Sequence, residues 1–312
     1  MRRLSPAFVF EQAPFPACHA ATVAEDAGTT VAAWFGGARE GAADVGIWLS
    51  RRRGEEPWSD PVQVASGRGL PCWNPVLHRP AAGGLRLYWR VGPSPRRWWS
   101  LTATSSDAGQ SWSAAEPLPR GMLGPIKNRP LELADGTLLH GSSTEHLGWR
   151  CHIERSDRDG NGWRRVQVLN RPWRWVANQA SVVDLADGTL LALCRTRQGV
   201  VTASRSGDGG ASWSAMTATR LPNPNSGIDV IRLADGRLLA AANPVRRGRS
   251  PLYLLLSDDG HAWRCGALVE DAPGEYSYPS LAPAGDGRVH LVYTWNRTRI
   301  AHALVDPGAL PP

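Results

Sequence analysis

The chain has 312 residues, of which 42% are hydrophobic, including 15 Trp, and its formal net charge is +7. This apolar content excludes a disordered polypeptide. The basic residues are spread along the chain, which does not favour nucleic-acid binding, whereas an anionic small ligand is compatible with the charge. Nearly all of them are Arg, and Lys127 is the single lysine.

Cysteine usage and the N-terminal residues indicate where the protein works. The 5 cysteines lie far apart and form no CxxC pair, which favours free thiols in a reducing compartment. The first residues lack the apolar stretch of about 7–15 residues that a secretion signal needs. No stretch approaches the roughly 20 apolar residues of a membrane span. We therefore expect a cytoplasmic protein with no metal site, no cofactor and no contact with membranes.

Short turn sequences recur along the chain, each between two short apolar stretches. Asp-Gly in this setting predicts a β-hairpin, because the turn requires positive φ. The spacing from one turn glycine to the next is 56, 52, 52, 48 and 51 residues. In chain order the turns are Asp26-Ala-Gly28, Gly83-Gly84, Asp135-Gly136, Asp187-Gly188, Asp235-Gly236 and Asp286-Gly287.

Tryptophans recur with the same period, at spacings of 54, 51, 50 and 50 residues. Each ends a segment such as Ser105-Ser-Asp107-Ala-Gly109-Gln-Ser-Trp112, known as an Asp box. A fixed period of this length indicates a repeat architecture. Four strands per unit and six units predict an all-β fold, a six-bladed β-propeller with four-stranded antiparallel blades, as a single domain over residues 1–312. The five tryptophans are Trp58, Trp112, Trp163, Trp213 and Trp263.

Residues at the same position within each repeat, here called the same phase, should occupy equivalent places in a propeller. The start of each first strand and the end of each second strand should meet at one mouth of the central channel. Polar, charged and aromatic residues fill both phases. The candidate site residues of the first phase are His19, Asn74, Lys127, Asn128, Gln179, Asp229, Glu275, Tyr276 and Tyr278. Those of the second phase are Arg39, Glu40, Asp44, Arg195, Arg197, Arg249 and Arg297.

The chain resembles the sialidase superfamily, in particular sialidase-like proteins with Asp-box (BNR) repeats. Three segments carry the resemblance: Gln179 to Arg195, Asn243-Pro followed by Arg249, and Tyr276-Ser. The resemblance implies that Arg side chains hold a sugar carboxylate, that a Tyr activated by a Glu is the nucleophile, and that an Asp is the general acid. Two positions depart from the family pattern, because His19 stands where an Arg is expected and Gln179 where the activating Glu is expected.

These residues lead to a specific hypothesis for the site. Arg supplies the planar, bidentate donors that a carboxylate needs, so Arg195 and Arg249 are expected to bind it, with Lys127 or Arg297 as the third cation. The resemblance makes Tyr276 the nucleophile. The remaining roles are Glu275 or His19 as its base, Asp44 or Glu40 as the acid, and Arg39, Asn74, Asn128, Gln179, Arg197, Asp229 and Tyr278 in substrate binding.

The sequence therefore predicts a sialidase-like exo-glycosidase that hydrolyses a terminal acidic sugar from a glycan. Two alternatives remain open. One is a lyase for uronate-containing glycans, in which His19 and Tyr276 act as base and acid on the carbon next to the carboxylate. The other is a propeller that binds acidic carbohydrate without catalysis, in which Gln179 marks a lost activity.

Overall fold

The computed structural model of the protein describes residues 2–171 and 173–311. Within these residues, twenty-five strands form six sheets, and β1 (Arg2–Arg3) and β2 (Ala7–Phe8) precede the first complete sheet. The first three blades are β3–β6 (Ala17–Asp26, Thr29–Gly37, Gly46–Arg53, Val62–Ala65), β7–β10 (Cys72–His78, Leu85–Ser94, Arg97–Ser105, Glu116–Pro117) and β11–β14 (Leu131–Glu132, Leu138–Thr144, Arg150–Ser156, Arg164–Val168).

The last three blades repeat this order. They are β15–β18 (Ala177–Asp184, Leu190–Thr196, Val200–Ser206, Thr217–Pro222), β19–β22 (Asp229–Arg232, Leu238–Ala242, Leu252–Ser257, Arg264–Glu270) and β23–β25 (Tyr276–Pro283, Val289–Trp295, Arg299–Val305). A 3-10 turn, Pro307–Ala309, follows. The prediction of an all-β, six-bladed propeller with antiparallel blades is confirmed.

The N-terminal residues complete the ring in a way that the repeat did not predict. β2 pairs antiparallel with β25, with Ala7 opposite His302, and so supplies the fourth strand of the last blade. β1 adds a fifth, parallel strand to the blade before it, next to β22. Strands from both ends of the chain therefore meet in one sheet, which closes the ring between the last and the first repeat.

The hydrophobic core lies between neighbouring blades, and this location explains the strand sequences. β7 and β16 are buried along their whole length, because each blade is covered on both faces by its neighbours. Trp213 of an Asp box packs in the cluster shared by the third and fourth blades. Each fully buried Leu or Val in such clusters contributes about 1.5–3 kcal/mol. The Asp boxes thus stabilise the fold.

Both kinds of turn lie on the face of the propeller opposite to the candidate site, because the hairpins join the first and second strands and the Asp boxes join the third and fourth. Gly136 and Gly188 have φ of 82° and 81° in their hairpins, which accounts for Gly at these positions. In the Asp boxes, Asp107 accepts a hydrogen bond from the Ser111 amide at 2.9 Å, so its carboxylate closes the turn. Among the described residues, no helix is long and apolar enough to cross a membrane.

Candidate active site

The first strands of four blades share an irregularity where they enter the channel. A β-bulge interrupts their pairing with the second strand. A bulge re-aims a side chain, and a positive φ in a residue other than Gly costs about 1–3 kcal/mol, which is typical of functional sites. The bulged residues with positive φ are Ala20 (58°), Asn74 (21°), Gln179 (56°) and Tyr278 (53°).

Tyr278 is the tyrosine that these bulges bring into the channel. Its ring lies 4.2 Å from the His19 ring, centroid to centroid. The guanidinium carbons of Arg195 and Arg249 lie 5.5 Å and 5.7 Å from its ring centroid. Gln179 donates a hydrogen bond from Nε2 to its hydroxyl at 3.3 Å. Residues from four blades therefore meet at one phenol ring.

The expectation that Tyr276 faces this site is wrong. Tyr276 pairs with Trp295 across the sheet, and both pack in the core cluster between the fifth and sixth blades. Burial, with Glu270 and Asp271 nearby, raises the pKa of Tyr276 above its usual value. The neighbouring Ser277 is on the opposite face of the strand, and the bulge after it turns Tyr278 inward.

Arg195 and Arg249, which the sequence predicts to bind a carboxylate, both lie over the ring of Tyr278. Arg195 is nearly buried, donates from Nη1 to the Asn225 carbonyl at 2.8 Å and stacks over Trp149 at 5.0 Å. These contacts fix the plane of its guanidinium. Arg249 approaches the ring from the fifth blade, at the end of the loop that follows β20.

Glu275 connects Arg249 to the rim of the channel. Its Oε1 accepts hydrogen bonds from Arg249 at 2.7 Å and from Arg297 at 2.9 Å, and Arg297 also bonds Glu40 at 2.5 Å. Burial raises the pKa of Glu275, but Arg249 and Arg297 outweigh it and hold the pKa below its usual value. Glu275 is therefore ionised, and Arg297 is engaged by two carboxylates.

His19 occupies the place where the resemblance implied a third arginine. Its Nδ1 lies 3.1 Å from Thr294 Oγ1. Burial, together with Arg297, Arg249, Arg195 and Lys127, lowers the pKa of His19 well below its usual value. The ring is therefore neutral near pH 7, and its lowered pKa makes it a weak base.

The proposal of Lys127 as a free cation for the substrate does not match its surroundings. Its ammonium donates to Asn128 Oδ1 at 2.8 Å, to the Ile228 carbonyl at 3.0 Å and to the Pro279 carbonyl. These three acceptors use all three of its protons. Burial lowers the pKa of Lys127 to about 8, although Asp229 opposes the shift. Lys127 thus joins three blades across the channel.

Asp229 and Asn128 also hold the backbone rather than face the channel opening. Asp229 accepts hydrogen bonds from Ser181 Oγ and from the Leu281 amide, both at 2.8 Å. Asn128 donates to the carbonyl of Gln179 at 3.4 Å. Since both are nearly buried, we assign them to the support of the Gln179 and Tyr278 bulges.

The remaining candidates lie around the rim or in the channel wall. Asp44 is exposed and its Oδ2 accepts a hydrogen bond from the Ala38 amide at 2.8 Å, within the loop that carries Glu40. Arg39 is exposed on the same loop. Asn74 is nearly buried, and its carbonyl accepts a hydrogen bond from Arg90 at 2.8 Å. Arg197 is exposed at the rim.

Trp149 is a contributor that sequence reasoning missed. Arg195 and Arg197 both lie over its ring, at 5.0 Å and 4.5 Å, so it organises two cations at the channel mouth. It is one of the tryptophans outside the Asp-box period, and that departure is the signal that could have identified it. Among the described residues, no group of three or more His, Cys, Asp or Glu side chains could hold a metal ion.

Comparison with known proteins relates this architecture to a family. Residues 28–291 match the family model described as the BNR repeat-like domain. The anhydrosialidase of Macrobdella decora is 26% identical over 185 residues, which is 52% of this chain and 24% of that protein. The chain therefore spans about a quarter of the length of that relative.

Two solved structures have the same fold. The Hadza microbial sialidase Hz136 has a TM-score of 0.84 at 16% identity, covering 98% of this chain and 69% of that one. The intramolecular trans-sialidase from Ruminococcus gnavus, in complex with oseltamivir carboxylate, has a TM-score of 0.78 at 15% identity, covering 99% of both chains. The chain belongs to the BNR repeat-like domain family and, with it, to the sialidase-like superfamily.

Proposed function

We propose that this sialidase-family protein is a glycosidase that hydrolyses a terminal, carboxylate-bearing sugar from a glycan. The observation that carries the proposal is the placement of Arg195 and Arg249 over the ring of Tyr278, with guanidinium carbons 5.5 Å and 5.7 Å from its centroid. Arg forms planar, bidentate hydrogen bonds with carboxylates. A similar structure holds oseltamivir carboxylate, a ligand that bears this group.

Tyr278 is the group best placed to act on the anomeric carbon of such a sugar. A neutral phenol avoids the repulsion that a carboxylate nucleophile would meet beside an anionic substrate, and sialidases are a known exception to the use of two carboxylates. In this proposal Tyr278 Oη forms a bond to the anomeric carbon as the glycosidic bond breaks. Water then displaces the tyrosine and releases the free sugar.

Proton transfer in this proposal uses His19 and the loop that follows β4. A Tyr titrates near 10 and needs a base to act as a nucleophile near pH 7. Gln179 donates to the phenol oxygen and stabilises developing negative charge, but it has no site to accept the proton. The neutral imidazole of His19 touches the Tyr278 ring, so we propose it as the base, and its lowered pKa makes it a weak one. Asp44 or Glu40, in its protonated carboxylic acid form, would donate the proton to the leaving oxygen.

A second candidate function is favoured by the same His19–Tyr278 contact. A lyase for uronate-containing glycans needs a base and an acid near the carbon next to the carboxylate, while cations neutralise that carboxylate. His19 as base and Tyr278 as acid, with Arg195 and Arg249 as the cations, would meet this need. Neither role requires a carboxylate at position 179.

One screen distinguishes these possibilities. The protein is incubated with sialosides and with uronate-containing oligosaccharides, and the products are identified by mass and by ultraviolet absorbance. Hydrolysis adds one water and leaves no unsaturated sugar, and this is the expected result. An unsaturated, absorbing product would replace the hydrolase with the lyase. Saturable binding without any product would show a carbohydrate-binding propeller and contradict both enzymatic proposals.

A further inference from the structure

The charges of this propeller are separated between its two faces. Strands alternate in direction, so the segments after the second and fourth strands of each blade lie on the face of the candidate site, here called the site face. The other segments and the C-terminal residues lie on the opposite face. The site-face segments contain 13 Arg or Lys and 6 Asp or Glu, whereas the opposite segments contain 4 and 14. The excess positive charge of the connecting segments is therefore confined to the site face.

This separation favours anionic ligands larger than one sugar. A cleft with charge of one sign raises the local concentration of oppositely charged ligands. One carboxylate is already matched by Arg195 and Arg249, so the remaining cations on the site face exceed the need of a single acidic sugar. Exposed hydrophobic residues also lie on this face, and among the described residues Trp173 is 80% exposed and Leu147 is 71% exposed.

A cleft between the second and third blades combines positively charged residues with exposed aromatic residues. Its volume is about 310 Å³, within the size range of small-ligand sites. Arg96, Arg120 and Arg165 line it together with Trp98 and Trp99, and no Asp or Glu is among its lining residues. Trp99 is 47% exposed, so part of its indole ring is available to a ligand.

The arginines of this cleft are open to a ligand. Arg96 and Arg120 are exposed, and neither has a hydrogen bond or ion pair with any residue that the structure describes. Arg165 uses one donor for the Gly121 carbonyl at 3.1 Å and lies 3.9 Å from Glu154. Two complete guanidinium groups therefore remain for a ligand's anionic groups.

The cleft is linked to the candidate active site by packing contacts through the buried Trp73. The Trp73 and Trp98 rings meet edge to face with their centroids 6.0 Å apart. Trp73 also lies close to Gly41, where an added Cβ would approach the ring to 3.3 Å. Gly41 follows Glu40, which bonds Arg297 at 2.5 Å. A chain of contacts thus connects Trp98 to the arginine and glutamate network beside Tyr278.

We propose that this cleft, the blade 2–3 cleft, is an accessory binding site for a second acidic sugar of the same glycan. The substrate class is then a polyanionic glycan with several carboxylate-bearing sugars, rather than a neutral glycan with one acidic end. Arg96 and Arg120 bind the acidic group, and Trp99 packs against the apolar face of the sugar ring. The inference rests on the proposed function, because it extends the glycan beyond the sugar held at Tyr278.

Binding without turnover tests the proposal. Every protein in this test carries Tyr278→Phe, so that no substrate is turned over. The anionic probes are oligogalacturonate and oligosialic acid of several residues. The comparison probes are methyl-esterified oligogalacturonate of equal length and the single acidic sugars. We expect Arg96→Gln with Arg120→Gln to weaken binding of the anionic oligomers about 10-fold. Added salt should weaken the binding less in this variant than in its parent. Trp99→Ser should weaken it as well.

The matched control is Arg246→Gln with Arg247→Gln, which removes the same charge from an exposed loop on the same face. It should change the affinity less than 3-fold. Equal losses in both double variants, or equal affinity for the neutral and anionic oligomers, would overturn the proposal. Binding to anionic phospholipid vesicles that depends on Arg96 and Arg120, without oligomer binding, would also overturn it. Because no turnover is measured, a failure of the hydrolase proposal leaves this test intact.

Discussion

The amide of Gln179 donates a hydrogen bond to the hydroxyl of Tyr278 at 3.3 Å, from one bulged strand to another. The donor comes from the fourth blade and the acceptor from the sixth. The amide supports the phenol oxygen but cannot remove its proton. Another group must therefore accept the proton, and the neutral imidazole of His19 is in contact with the ring.

A carboxylate at position 179 should accelerate hydrolysis. In Gln179→Glu, the new side chain has the same shape and can accept the Tyr278 proton directly, and a positioned base contributes about 10²–10⁴-fold to rate. Because His19 already acts in the parent protein, we expect a smaller increase in kcat, of about 10-fold. Gln179→Met, which has neither donor nor base, is the control and should lower kcat. A decrease in kcat for Gln179→Glu would contradict the assignment of Tyr278 as nucleophile.

Arg195 should determine the preference for a free carboxylate. In Arg195→Met we expect a loss of about 1.5–3 kcal/mol in transition-state binding of the acidic substrate, because charged hydrogen bonds contribute that amount. The substrate's methyl ester should be affected much less, so the ratio of the two kcat/KM values is the measurement. Arg197→Met, which removes the neighbouring cation on Trp149, is the control. An unchanged ratio in Arg195→Met would exclude Arg195 from carboxylate recognition.

Lys127 should contribute to stability more than to binding. Lys127→Met leaves buried acceptors on Ile228 and Pro279 without a donor and removes the positive charge near Asp229. Loss of a hydrogen bond to a buried charged group costs about 1.5–3 kcal/mol, and urea unfolding would measure it. Arg120→Met, at an exposed site, should change the free energy of unfolding by less than about 0.5 kcal/mol. A stable Lys127→Met protein with a raised KM would instead favour a direct role in substrate binding.

Acid should destabilise the fold through its buried histidines. Burial, with nearby Arg129 and Arg86, lowers the pKa of His78 to about 3, and burial, with nearby His290 and Arg52, lowers that of His302 to about 3. The unfolded chain titrates near 6.5 and binds more protons between these values, so the free energy of unfolding falls as pH falls below 6.5. From pH 7.5 to pH 5.5 each histidine removes about 1.4 kcal/mol.

Urea unfolding at these two pH values measures the effect. His78 is suited to the test because neither ring nitrogen has a hydrogen bond among the described residues. His78→Leu should therefore reduce the loss between pH 7.5 and pH 5.5 by about 1.4 kcal/mol. An unchanged pH dependence in His78→Leu would show that His78 titrates normally in the folded protein.

The repeat predicted the fold well because its period is a property of local sequence. Asp-Gly hairpins and Asp-box tryptophans each mark one place in a blade, so six blades and the channel mouth that carries the site followed from spacing alone. The pairing of β2 with β25 could not be predicted, since two residues at the N terminus contain no repeat signal. Ring closure depends on the distance between the chain ends in the folded protein.

The sequence predicted where the candidate site residues lie along the strands but not the directions of their side chains. Successive side chains along a strand point to opposite faces of the sheet. A bulge inserts an extra residue and so changes which residues point to each face. Four bulges at the channel mouth are invisible in the sequence, and one of them brings Tyr278 into the site instead of Tyr276. Hydrogen bonds also reassigned Lys127, because its three buried acceptors come from distant parts of the chain.

The most direct test compares Tyr278→Phe with Tyr276→Phe, using the acidic substrate identified by the product screen. Both changes remove one hydroxyl and retain the ring, so packing is preserved in each. The assignment of Tyr278 as the reacting residue predicts that Tyr278→Phe loses at least about 10³-fold in kcat/KM, equivalent to about 4 kcal/mol. Tyr276→Phe should retain activity within about 3-fold of the parent. Full activity in Tyr278→Phe, together with loss in Tyr276→Phe, would contradict the account.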